Sequence, residues 1–181
     1  MFALFPSDSQ LNAAHRLQLR KDTSESEARG TNIAFLCLQV SMLRNITYNN
    51  PDIKAEINAL VGPPFGLISS IKMGGIGSRR MLITEASPDI RKWLSLQTTA
   101  PYCYLELRPS GIIVHFRSIL ETMGWVIPFH HLSIFRNGEA IHLHGAGSFM
   151  HLSGVGSLKP DHKFIEKVLG RKQCARESDP F

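Results

Sequence analysis

Tyr102-Cys-Tyr-Leu-Glu-Leu-Arg-Pro-Ser-Gly-Ile-Ile-Val-His-Phe-Arg117 is the stretch on which the fold is read. Cys103, Leu105 and Leu107 alternate with Tyr102, Tyr104 and Glu106. Successive side chains of an extended strand point to opposite faces, so this pattern predicts a half-buried strand. Arg108-Pro-Ser-Gly111 supplies turn chemistry, Pro by pre-setting φ and Gly by permitting φ > 0. Ile112, Val114 and Phe116 then form the apolar face of a second strand, opposite Ile113, His115 and Arg117.

The pattern continues downstream. Glu121-Thr-Met-Gly124 offers another turn and Trp125-Val-Ile-Pro-Phe129 a third strand. Pro128 has no backbone donor and belongs at a strand end or sheet edge. Leu132 and Ile134 open the next run, and Asn137-Gly138 predicts a tight hairpin because both residues tolerate the positive φ of a type I′ turn. Beyond it Ile141 and Leu143 face one way, His142 and His144 the other. Gly145-Ala-Gly147 turns the chain again before a short strand from Phe149 to Leu152. Pro160-Asp161 starts a helix with Phe164, Ile165, Val168 and Leu169 along one stripe. Gly170 takes the C′ position, and Arg171 and Lys172 complement the helix dipole. The expected class is α+β: a strongly bent antiparallel sheet or small open barrel, closed by a C-terminal helix.

Upstream the signals are mixed. Residues 1–30 are polar and weakly patterned, which predicts a mobile tail, although Ser24 and Glu27 match a capping box. From Thr31 to Ile46, Ile33, Leu36, Val40 and Leu43 fit a helical stripe, with a buried strand as the alternative. Asn50-Pro51-Asp52 is a helix start, Ile53, Ile57, Leu60 and Val61 its buried face, and Gly62-Pro-Pro64 its stop. Phe65 to Arg80 is too Gly-rich for a regular helix and too apolar for a solvated linker. Met81–Thr84 reads as a short strand, and Ser87-Pro88-Asp89 opens a helix with Ile90, Trp93 and Leu94 inward. The expected organisation is a tail over 1–30 and one α+β domain over 31–181, with its β core at about 81–172. This N-terminal part of the domain reads as mixed and largely helical.

Composition narrows the functional classes. A chain of 181 residues with 43% hydrophobic content suits one domain able to bury a core. The net charge of +5 permits an acidic partner, but scattered surface Lys and Arg are the commoner explanation. The sequence shows no basic cluster interleaved with exposed aromatics, so nucleic acid is not an expected partner. Cys37, Cys103 and Cys174 lack any CxxC spacing, which argues against disulfide scaffolds and zinc ribbons and for a reducing compartment. Met1–Pro6 has no basic n-region, and the apolar run Ile33–Leu38 is far short of the roughly 20 residues of a membrane span. The chain therefore reads as cytoplasmic, with no cofactor expected.

Two groups of residues carry candidate chemistry. Lys72, Gly74, Gly75, Gly77, Arg79 and Arg80 have the composition of an anion site, where small residues let backbone N–H groups approach and cations stand nearby. They match neither a Walker A loop nor a GxGxxG fingerprint. His142 and His144 share one strand face, the minimum for chelation of a metal through nitrogen. This His-x-His after Gly138 resembles the cupin metal motif, but the spacing from Gly138 differs and the downstream Glu is missing. No GxSxG is present, no cysteine has an activating context, and Glu106, Glu121 and Glu139 are the only carboxylates of the β region. Trp93 and Trp125 read as core.

The short strands, the Trp125–Phe129 segment, the Asn137-Gly138 hairpin and the closing helix at Pro160–Leu169 resemble bacterial pleckstrin-homology-like domains, from about Met81 onward. The resemblance implies a small bent antiparallel sheet capped by the last helix. It also implies a binding role, toward peptides, proteins or, in eukaryotic members, phosphoinositide headgroups. The first hairpin turn, Arg108-Pro-Ser-Gly111, departs from the lipid-binding pattern because it lacks a basic cluster. The leading expectation is a non-catalytic interaction module for a protein or peptide partner or an anionic ligand. The alternatives are a metal-dependent β-barrel enzyme using His142 and His144, and a peripheral membrane binder using Lys72, Arg79 and Arg80. A strand edge near Pro128 would permit a homo-oligomer.

Overall fold

The computed structural model describes residues 42–96, 99–156 and 159–177. Eight strands form one antiparallel sheet: β1 (Met42–Asn45), β2 (Met81–Ala86), β3 (Tyr102–Arg108), β4 (Gly111–Ser118), β5 (Glu121–Pro128), β6 (Leu132–Asn137), β7 (Ala140–Gly145) and β8 (Ser148–Ser153). Their order is β1-β5-β4-β3-β2-β8-β7-β6, and β1 and β6 leave the sheet open. The helices among the described residues are α1 (Pro51–Val61), α2 (Leu67–Lys72), α3 (Pro88–Leu94) and α4 (His162–Glu177). The α+β class and the antiparallel sheet are as the alternation predicts. The sheet begins earlier than the expected 81–172 core, because β1 pairs with β5. Within the ambiguous Thr31–Ile46 stretch, Met42–Asn45 is strand; its earlier part and the expected 1–30 tail lie outside the described residues.

Alternation places the core. Met81, Ile83, Cys103, Leu105, Leu107, Ile112, Val114, Phe116, Trp125, Ile127, Ile141, Leu143, Met150 and Leu152 join Ile90 of α3 and Phe164, Ile165 and Val168 of α4 in one buried cluster. A smaller cluster on the opposite face sets Ile57 and Val61 of α1 against Met42, Ile113 and Val126. The sheet must curl strongly. β5 and β7 are five steps apart in strand order, about 24 Å on a flat sheet. Yet a Cβ placed on Gly145 would lie 2.6 Å from Ile127 Cγ2.

Four local expectations are corrected. The β4–β5 turn sits on Ile119-Leu120 rather than Glu121–Gly124, since Ser118 pairs with Glu121. Gly124 is instead a strand residue that makes room for Ile46, whose Cδ1 would lie 3.0 Å from a Cβ there. The β6–β7 turn is centred on Gly138-Glu139, with Asn137 paired to Ala140, and of these turn residues only Gly138 is at positive φ (58°). That is the type II′ arrangement rather than I′. Gly111 is not at positive φ; it serves close approach, with Ile127 O 2.5 Å and Val61 Cγ1 2.6 Å from where a Cβ would stand. Finally, α4 runs through Gly170 to Glu177. Beyond Gly170, Lys172 Nζ donates to Leu132 O, Arg171 lies over the Phe65 ring at 5.4 Å, and Ala175 packs on the core. These contacts outweigh the roughly 1 kcal/mol helix penalty of one glycine.

Candidate functional site

The Pro109-Ser110 turn sets the register of the β3–β4 hairpin, because Arg108 pairs with Gly111 across it. The polar faces of the two strands then meet: Tyr104 stands opposite His115, and Glu106 opposite Ile113. The Glu106 carboxylate accepts from His115 Nε2 at 2.8 Å through Oε2, and its Oε1 lies 2.7 Å from Arg108 Nε. Burial pushes this carboxyl up, but the His115 hydrogen bond and the Arg108 and His115 charges outweigh burial and hold it below its ordinary value. The Tyr104 ring lies flat against His115, with centroids 4.6 Å apart and planes 2° from parallel. Burial, then the Glu106 charge, pushes the Tyr104 phenol up, so it stays a neutral donor.

Hollows open on both sides of His115. One, of about 390 Å³, is lined by Arg80, Tyr102, Tyr104, Arg117 and Thr122 among others. The second, of about 350 Å³, lies against α1 and includes Lys54, Arg108 and the Ile46–Asn50 connection. His115 lines both and is 8% exposed. Its Nδ1 is buried without a hydrogen-bond partner. α1 is placed by Asn50, whose side chain accepts from Asp52 N at 2.9 Å, with Pro51 at the first turn. The connection ahead of it is tied to β5 by Thr122 N donating to Thr47 Oγ1 at 2.6 Å.

The structure divides the six residues of the expected anion loop. Its glycine-free part is the helix α2, a correction to the reading of Phe65–Arg80 as too Gly-rich for helix. Lys72 sits in the last turn of α2. Gly74 and Gly75, both at positive φ, donate to Ile71 O and Ser70 O. Their own carbonyls accept from Lys167 Nζ at 3.4 and 2.8 Å. Gly77 bridges Glu106 on β3, and the chain is pinned there by Ser78 N to Leu105 O and Leu107 N to Ile76 O. Arg79 N donates to Asp161 Oδ2 at 3.0 Å, and its guanidinium lies 3.6 Å from the same oxygen. Arg80 turns the other way, 5.6 Å from the centroid of Tyr102.

His142 and His144 both lie near His151, His144 at 6.2 Å between ring centroids. His142 stacks edgewise on His151 at 4.0 Å, and His151 Nδ1 lies 3.2 Å from Glu85 Oε2. His144 packs against Phe135 at 5.6 Å and Phe149 at 5.9 Å. Among the described residues no three His, Cys, Asp or Glu side chains are grouped to hold a metal ion. Cys103, which borders the larger hollow, is 1% exposed and burial pushes its thiol up to about 12, which removes it as a nucleophile.

Alternation along β3 and β4 already put Tyr102, Tyr104 and Glu106 on one face and His115 and Arg117 on the facing strand. What sequence reasoning missed is the pairing of those faces and the arrival of Lys54 from a distant segment; Arg80, expected in the Gly-rich loop, lines the larger hollow instead. No family model, curated protein or solved structure matches this chain.

Proposed function

We propose that the protein is a non-catalytic binding module whose β3–β4 outer face receives an anionic ligand. One observation carries this reading. The described residues lining the two hollows include Lys54, Arg80, Arg108 and Arg117 and no carboxylate. Glu106, the carboxylate hydrogen-bonded to His115, is already matched by Arg108 and His115. An incoming anion therefore meets Lys54 and Arg80 on walls whose described residues carry no acid. Binding of inorganic polyphosphate, followed by calorimetry, is expected to weaken about tenfold in the Lys54→Ala, Arg80→Ala double variant and to weaken as salt is raised. Binding that is absent in the parent, or indifferent to both changes, rejects the reading.

A second reading is a membrane-surface contact through α2. Leu67, Ile68 and Ile71 are 70 to 78% exposed on this short helix, and Lys72 ends it. An exposed aliphatic cluster beside basic residues suits an anionic bilayer surface. Of the other cations assigned to such a contact, Arg79 is paired with Asp161 and Arg80 lies over Tyr102. Sedimentation with phosphatidylglycerol vesicles is expected to pull down the parent at low salt and to lose the Leu67→Ser, Ile68→Ser variant. Equal sedimentation of both rejects this reading.

A further inference from the structure

We infer that the anionic ligand of the β3–β4 face is a single-stranded nucleic acid, with neighbouring bases stacked on Tyr102 and Tyr104. The inference rests on the anionic-ligand reading and adds the chemistry of the ligand's uncharged part. Tyr102 and Tyr104 are 37% and 45% exposed on one face of one strand. Residues two apart on a strand are about 6.7 Å apart, so each ring can serve its own base along an extended strand. Neither ring is loose. Tyr104 is backed by the parallel His115 ring, and the Arg80 guanidinium lies over Tyr102. Arg80 and Arg117 line the same hollow as the two rings, and Lys54 and Arg108 the adjoining one, within reach of a phosphate backbone.

The orphaned nitrogen of His115 adds a third requirement. Its Nε2 donates to the ionised Glu106 carboxylate, which leaves Nδ1 as the ring's unsatisfied polar atom, an acceptor in the neutral ring and a donor in the charged one. A ligand hydroxyl, which both donates and accepts, satisfies it in either form. Anions, flat rings and neutral donors occur together in a nucleotide chain. Polyphosphate has no rings, and an acidic peptide has few. A duplex keeps its base faces inside the stack, which leaves the tyrosines unmatched.

Fluorescence anisotropy of labelled oligouridine and oligothymidine of about 12 nucleotides, roughly one or two sites, tests this directly. The same strands annealed to complements and inorganic polyphosphate serve as comparisons. Both single strands are expected to bind, and the duplexes at least tenfold more weakly. Tyr102→Leu and Tyr104→Leu should each weaken single-strand binding about 10- to 100-fold and polyphosphate binding by a much smaller factor, and Tyr104→Phe should retain single-strand binding. Both rings are exposed, and circular dichroism checks that the variants fold. Polyphosphate binding with no single-strand advantage, or with no loss in the leucine variants, overturns base stacking while the anionic reading stands. Binding of neither ligand overturns both.

Discussion

At Glu106 one side chain settles the electrostatics of the whole face. Burial alone would favour its neutral form, yet His115 and Arg108 keep it ionised. A carboxyl held below its ordinary value of 4.5 stabilises the fold at neutral pH, and that contribution fades as pH falls through the ordinary value and then the lowered one. Glu106→Gln is therefore expected to cost about 1–3 kcal/mol at pH 7, because Arg108 loses its partner in a mostly buried place. Urea denaturation of both proteins should show that gap shrinking in acid; a gap constant with pH would contradict it. The outward set Tyr102, Tyr104 and Glu106 was legible in the sequence, because period-two alternation fixes a strand's faces without knowledge of its neighbours. The Glu106–His115 bond was not, because it needs the hairpin register.

Among the elements, glycines separate what pattern can reveal from what it cannot. Gly111 and Gly170 both look like ordinary punctuation. In the fold Gly111 is a crossing point of backbone, with Ile127 O and Pro128 Cα 2.5 and 2.9 Å from a Cβ placed there. Gly170 sits inside α4 with nothing within 4 Å of such a Cβ. Thermal denaturation should show the opposite signs: Gly111→Ala losing about 3 kcal/mol by overpacking, Gly170→Ala gaining about 0.5–1 kcal/mol by favouring helix. Equal effects would mean that local propensity, not packing, governs both. Strands and helix starts were readable because alternation, Asn50-Pro51 and Ser87-Pro88 are local signals. The turn at Ile119-Leu120 escaped because its first residue is a β-branched side chain at φ 55°, a conformation sequence rules assign to glycine. The continuation of α4 escaped because it depends on Phe65 and Leu132, far away in the chain.

Across the whole molecule, the curl of the sheet gives α1 and the β3–β4 hairpin an outer surface while the inner one closes over α3 and α4. Only the bent shape, not the positions of Arg80 and Lys54 on it, could be anticipated, since those depend on pairings between segments without sequence periodicity. The strand order also has a kinetic consequence. β3-β4-β5 and β6-β7-β8 are each made of sequence neighbours, and β2 is the strand that zips one to the other, joining Leu82 to Tyr102 on one side and to Ser153 on the other. Local hairpins close in microseconds, whereas bringing β2 to β8 requires closure of a long loop. Softening β2 with Ile83→Val should therefore slow refolding in stopped-flow experiments, while Ile134→Val in β6 should mainly hasten unfolding; the reverse partition would place the barrier inside a hairpin. A six-residue splice thus sets the pace at which two independently assembled ribbons become one body.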